Sequence, residues 1–457
     1  MNIPKRTNWS REPWMLLSKG DLEIERQQCR EEGKDLGKLE AEFAALAKLD
    51  LNKERHQQRA EALLDATANL PVRAGYPNRE PSDLSGIRAA RPSSVFLPKR
   101  RLSAAELRDK ALGGWLGRAC GCLLGKPAEG RRSRQIEKFL KAQKRWPLNN
   151  YFSLKAPAKL ARECGFDIRF KGLFAEGITA MVEDDDLNYT VAGLAILKRW
   201  GAGFTPGDVA FFWLSHLPLF KVCSAERAAY RNLANGISPP ASASFRNPYR
   251  EWIGAQIRAD FFGYVSPGNP AGAAEFAWRD AVISHVKNGI YGEMWVAAMI
   301  AAAYVLDDVS AVIRAGLAQI PASSRLAKAI GRVLELYRAG ATFGVALTDI
   351  SGRWHENRAH ERVHTISNAA IVALALLWGK KDYEKTICGA VMPGFDTDCN
   401  GATAGSVLGV MLGGAALPAK WSAPLNDTLL TGVAGYNRVA LSQMADETVA
   451  LIRKIKN

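Results

Sequence analysis

Three observations in the sequence predict an all-α protein. Apolar residues recur at helical spacing over most of the 457-residue chain, strand-like alternation is scarce, and glycines fall inside apolar helical stretches as well as between them. The length of the chain leaves room for a large core and for more than one domain, and 47% apolar with 23% charged residues describes an ordinary soluble globular protein.

The elements follow in chain order. Residues 20–70 are polar, with Leu36, Leu39, Phe43, Leu46, Leu63 and Leu64 at helical spacing, which predicts two amphipathic helices in a hairpin packed on something else. Pro71, Pro77, Pro81, Pro92 and Pro98, with Gly75 and Gly86, mark a linker or an extended wrap. The run Lys99-Arg100-Arg101 reads as a solvated face. Residues 1–98 are therefore expected to be a helical extension with its linker, and 99–457 the body. Helices of the body are predicted over Ala104–Leu124, Tyr189–Arg199, Ala273–Ile283, Glu293–Val305, Ser323–Arg338, Ser367–Trp378, Thr403–Leu412 and Ser442–Ile455.

Charge and cysteine usage narrow the partners. A formal charge of +15 favours anionic ones, including phosphates, nucleotides, nucleic acid or acidic protein. Seven cysteines, an odd number without a CxxC pair, point to free thiols in a reducing compartment. Residues 1–17 show no apolar leader, and the longest apolar run, Met294 to Leu306, is too short to span a bilayer. A cytoplasmic protein without membrane contact is expected; its oligomeric state is not legible.

The chemistry concentrates in two acidic helix openings. Asp396-Thr397-Asp398-Cys399-Asn400 follows the turn Met392-Pro393-Gly394 and leads into a small-residue helix. Glu183-Asp184-Asp185-Asp186 opens the helix before Trp200. Each cluster alone has an ordinary explanation, since carboxylates cap helix amides and complement the dipole. Two together against apolar helices call for a counter-charge, and hard oxygen ligands select Mg²⁺, Mn²⁺ or Ca²⁺ over zinc. Ahead of both, Gly117, Gly121 and Gly125 recur four apart, where another backbone can approach. Gly125 and Pro127 then stop the helix and present Glu129 from a loop. Arg246-Asn247-Pro248-Tyr249-Arg250-Glu251-Trp252 reads either as a recognition loop for phosphate and a flat base or as an Arg/Trp surface stack. His355, His360 and His364 are expected in a charged loop without ligand spacing, as surface or subsite residues.

In this order, the blocks resemble the ADP-ribosylglycohydrolase family, compact all-α enzymes with two Mg²⁺ or Mn²⁺ ions. Its Gly-x-Ala-x-Gly-Asp-Ala-Leu-Gly-x-Pro-x-Glu is matched by Gly117-Arg-Ala119-Cys-Gly121-Cys122-Leu-Leu124-Gly125-Lys-Pro127-Ala-Glu129. Its Thr-Asp-Asp-Thr is matched by Glu183 to Asp186, and its Asp-Thr-Asp-Thr by Asp396 to Cys399. The resemblance runs from about Leu107 to Leu412 and leaves residues 1–95 uncovered. It implies two divalent cations held by Glu183, Asp184, Asp185, Asp396, Asp398 and Cys399, with Glu129 and Asp185 in catalytic roles. It implies substrate contacts from Arg258, His285, Asn288 and Tyr291, while Asp186 or Asn400 adjoins the substrate or supplies an oxygen that Cys399 lacks. Cys122 and Cys399 depart from the pattern, as does Glu183. The implied activity is hydrolysis of a ribosyl C1″ glycosidic bond in an ADP-ribosylated acceptor. A related N-glycosidase acting on a nucleoside, nucleotide or ADP-ribosylated nucleic acid, and a non-hydrolytic ADP-ribose binder, stay open.

Overall fold

The computed structural model describes residues 14–92 and 97–456. Residues 1–13 and 93–96, parts of the N-terminal stretch and of the proline-punctuated stretch, lie outside them. The described chain is all-α apart from one short antiparallel pair, Thr428–Leu430 with Arg438–Ala440. No helix among the described residues is long and apolar enough to cross a membrane.

Three helices, not a two-helix hairpin, make up the N-terminal segment: α1 (Lys19–Glu31), α2 (Leu39–Leu46) and α3 (Glu54–Ala68). The third is present because Phe43 and Leu46 must meet both Leu22 and Leu63; together they form a small apolar core separate from that of the body. The proline-rich stretch is the extended wrap, interrupted by α4 (Leu84–Ala90). It lies on the body through Trp278 Nε1 donating to the Ser82 carbonyl at 2.9 Å and Arg91 Nε donating to the Gln319 carbonyl at 2.8 Å.

The body is centred on α5 (Ala104–Gly125), which Ser103 caps and Glu106 completes as a capping box. Antiparallel to it lies the helix that carries the second acidic opening. A Cβ on Gly113, Gly117 or Gly121 would strike the carbonyls of Gly409, Gly405 or Gly401, so only glycine lets these two backbones touch. The seam brings the C-terminal end of α5, and Glu129 just beyond it, to the N-terminal end of its partner. That partner is α10 (Thr397–Leu412); the body also holds α6 (Asp185–Trp200), α7 (Ser224–Ala234), the fully buried α8 (Asn288–Ala303), α9 (Thr365–Gly379) and the final α11 (Leu441–Lys456). Trp115 of α5 donates to Thr448 of α11 at 3.0 Å, closing the core on its far side.

Candidate active site

The glycine seam sets the site. Because α5 and α10 run antiparallel in contact, the turn Lys126–Ala128 ends against Thr397, whose hydroxyl donates to the Gly125 carbonyl at 2.9 Å. The N-terminus of α6 arrives beside both, fixed by fully buried Arg118. That guanidinium spans Asp186 at 3.0 Å and Asp260 at 2.8 Å and donates to the carbonyls of Asp186 and Ile257. An open cleft of about 430 Å³ results, with Lys126, Glu129, Asp185, Asp396, Asp398 and Cys399 on its walls. The two acidic openings, some 210 residues apart in sequence, thus face one another.

The capping explanation holds for one opening and fails for the other. Asp184 caps α6, its Oδ1 accepting from the Asp186 amide at 2.9 Å. Asp396 sits at the N-cap of α10, yet its carboxylate accepts no bond from the helix amides. Phe395 just before it has φ of +60°, a left-handed conformation that an aromatic residue adopts only when its surroundings impose it. That turn aims Asp396 into the cleft.

Among the carboxylates stands Lys126. Its Nζ is 2.6 Å from Asp184, 2.9 Å from Glu129 and 3.5 Å from Asp398. Burial works against the ammonium, and the charges of Asp184, Asp398 and Glu129 overcome it, so its affinity for a proton rises. Arg362 is the other cation on the cleft wall. Apart from Glu226, which pairs with Arg258 at 2.8 Å, five carboxylates (Glu129, Asp184, Asp185, Asp396 and Asp398) thus share two counter-charges. Burial, with the neighbouring charge of Glu129, holds Asp398 well above the ordinary carboxylate range. Its Oδ1 and the Oδ2 of Asp186 are buried without a hydrogen-bond donor. The ligand atoms of Asp186, Asp398 and Cys399 lie within 4.8 Å of one another, as do those of Cys122, Asp184 and Asp186. Undonated hard oxygens around a thiol fit a divalent cation, and fit a hard one better than a soft one.

Other residues proposed from sequence stand elsewhere. Glu183 is turned away, accepting from Asn188 at 2.9 Å and pairing with Lys221 at 2.5 Å. Asp186 is the buried partner of Arg118, not an exposed substrate contact. Arg258 is fully enclosed by Asp280 at 2.7 Å, Glu226 at 2.8 Å and Glu293 at 3.5 Å, leaving no face for a diphosphate. His285 is buried against Ser284, Asn288 donates to Glu251, and Tyr291 donates to the Pro81 carbonyl; none lines the cleft. Asn400 is buried one turn into α10, donating to Asn368 at 2.8 Å. The Arg246–Trp252 stretch is neither a phosphate loop nor a surface stack. Arg246 pairs with Asp65, and Arg250 with Glu25 and Glu32, all in the N-terminal segment. His360 and His364 are buried, not in a surface loop, and His360-Glu361-Arg362-Val363-His364 does have metal-ligand spacing.

Several cleft residues had no sequence signal of their own. Lys126 lies inside the Gly-x-Pro block at a position that any residue could fill. Glu226, on α7, reaches the cleft from beneath because Arg258 holds it at 2.8 Å, and burial raises its carboxyl to about 7.

Residues 103–456 match the ADP-ribosylglycohydrolase family. The chain belongs to the ADP-ribosylglycohydrolase family. Membership supports a glycohydrolase; the family is generally metal-dependent, and the cleft holds acidic clusters that could bind a metal. A solved structure described as an ADP-ribosylglycohydrolase-related protein complex aligns with a TM-score of 0.46 at 18% identity, covering 77% of this chain and 99% of that one. No curated protein matches the sequence.

Proposed function

We propose that this protein hydrolyses the C1″ glycosidic bond of an ADP-ribosyl group on a modified acceptor, with Mg²⁺ or Mn²⁺ as cofactor. The observation that supports it best is the meeting of two acidic helix openings in one cleft, with more carboxylates than counter-charges and with Asp396 freed from capping. Asp184, Asp185, Asp396, Asp398 and Cys399 would hold the cations, with Asp186 behind them. Bound divalent ions there would engage the cis hydroxyls of ribose and lower the pKa of a water.

The chain's own groups do the rest. Glu129, half-exposed at the mouth, is steered by the Lys126 ammonium and can move a proton to or from a reacting oxygen or nitrogen. Arg258 fixes Glu226 below the cleft floor, and Arg118 fixes the start of α6, so that carboxylate positions are set before substrate arrives. Residues 99–457 would serve as the catalytic domain. Seven unpaired cysteines support a reducing, cytoplasmic setting.

The direct test is release of ADP-ribose from an ADP-ribosyl-arginine peptide with Mg²⁺ or Mn²⁺, wild type against Asp396→Ala. Turnover by wild type that the substitution abolishes supports the proposal; equal turnover by both removes the mechanism. One observation favours a second assignment, a protein that binds ADP-ribose without hydrolysing it: Lys126 already neutralises part of the acidic cleft. Tight ADP-ribose binding with no turnover on peptide, nucleoside or nucleic-acid substrates would select it.

A further inference from the structure

One wall of the cleft comes from outside the family match. Trp14 lines the same cavity as Glu129, Asp185 and Asp396, although it lies 89 residues before the matched region begins at 103. Its side chain is half-buried, and the Arg227 guanidinium stands 4.9 Å from the ring centroid. The backbone at Trp14 has φ of +64°, a costly conformation for so bulky a residue unless its surroundings fix it.

The surroundings do fix it. Trp14 packs on the small cluster of Ala225, Tyr249 and Trp252. Helix α1 follows at once and is fastened to the same stretch: the Tyr249 hydroxyl donates to Asp21, and Arg250 pairs with Glu25 at 2.5 Å and Glu32 at 2.7 Å. Beyond Arg250 the chain becomes the cleft wall at Trp252, Ile253 and Gly254. Trp14 is therefore held in register with the catalytic groups. Anchoring alone does not account for an indole left open to the cavity, because the buried pairs of α1 already secure the segment.

We propose that Trp14 is the stacking platform for the planar base of the substrate, and that the N-terminal segment thereby favours ligands that carry a base over those that do not in the activity proposed above, on which this inference rests. An indole face backed by a guanidinium suits a purine attached to a phosphate. Calorimetric titration of the full-length protein with ADP-ribose and with ribose 5-phosphate, in the presence of Mn²⁺, tests it. Trp14→Ala should weaken ADP-ribose binding by roughly tenfold or more, as loss of one base–aromatic stack does. Trp14→Phe should keep most of the affinity, and ribose 5-phosphate, which has no base, should bind both variants as it binds wild type. Unchanged ADP-ribose affinity in Trp14→Ala overturns the inference, as does equal weakening for both ligands, which would mean general damage to the cleft. Thermal melting checks that the alanine variant is folded; if it is not, the comparison rests on Trp14→Phe and Trp14→Leu. Should wild type itself bind neither ligand, the substrate proposal falls as well, an outcome distinct from loss of Trp14 sensitivity alone.

Discussion

Among the described residues, ligand-type side chains lie within 4.8 Å of one another in two regions, and the regions differ in whether their buried carboxylate oxygens have donors. In the cleft, Asp186, Asp398 and Cys399 meet at an end of the glycine seam where carboxylates outnumber cations. Under the N-terminal segment, Glu31 meets His360 and His364. There, in a clamp closed by Arg325, every carboxylate has donors: Arg325 reaches Glu31 at 3.5 Å, Glu80 at 2.9 Å and Glu251 at 2.7 Å, and Gln28 and Asn288 also donate to Glu251. Proximity of ligands is thus a poor guide to a metal. What distinguishes the two is buried carboxylate oxygen without a donor, present in the cleft at Asp186 and Asp398 and satisfied in the clamp.

The largest expected effect separates them at once. Asp398→Asn should lower turnover on ADP-ribosyl peptide by about 10³-fold or more while leaving the melting temperature unchanged or raised. The substitution removes both a ligand and a buried like charge. Mn²⁺ binding followed by electron paramagnetic resonance should weaken in parallel. A variant that melts well below wild type would mean the acidic openings are structural and would erase the distinction.

The clamp should answer in the opposite way. Arg325→Met leaves Glu80 and Glu251, both almost fully buried, without their cation, a loss of about 3–5 kcal/mol by analogy with other broken buried pairs. Chemical melts should show that loss, and turnover per folded molecule should fall only modestly. Retained stability would mean that Gln28 and Asn288, which also donate to Glu251, suffice to hold the carboxylate.

Much of this was legible in the sequence because local rules and tertiary packing agreed. The helices of the body were visible from periodicity, and glycines at 117, 121 and 125 announced a close backbone approach, although which helix approached was not legible. The facing of Asp396 with Asp185 depends on that partner; the two acidic helix openings suggested that they face each other around a cation, but not which backbones bring them together. The rest failed for a common reason. Arg258, Arg246, Arg250 and His360 look like surface chemistry in one dimension, because a buried ion pair is invisible until its partner, often some 200 residues away, is placed beside it. Trp14 was missed for the same reason, as its segment shares no motif with the body.

Glu226 offers an intermediate test through pH. Burial raises its folded pKa from the ordinary 4.5 to about 7, opposed in part by Arg258. A raised folded value means that its contribution to stability is fully present below about pH 4.5 and is lost as pH climbs through 7. The difference corresponds to roughly 3 kcal/mol at most. Glu226→Gln should therefore flatten the decline in stability between pH 5 and 8, measured by chemical melts at each pH. A variant with the wild-type slope would place the titration on another group.

The smallest expected effect is none, and it tests the clamp's resemblance to a zinc site most sharply. His360-Glu361-Arg362-Val363-His364 has the spacing of a metalloprotease motif, and Glu31 completes a two-histidine, one-carboxylate set. The protons argue against it. Trp252 Nε1 donates to His360 Nδ1 at 3.0 Å, and the Ile366 amide donates to His364 Nδ1 at 3.1 Å. Both donors are obligate, so each ring must accept at Nδ1 and carry its hydrogen on Nε2, the atom that faces Glu31 at 3.3 and 3.5 Å. Burial also keeps His364 neutral, with its pKa pushed down to about 3. A metal ligated through Nε2 would need those hydrogens gone, whereas ligating histidines ordinarily donate from their second nitrogen. His364→Ala should then leave zinc content after dialysis against Zn²⁺, read by elemental analysis, at the wild-type value. A loss of one zinc per chain would show that the clamp rearranges into a metal site and that the supply of donors is not the distinction between the two regions.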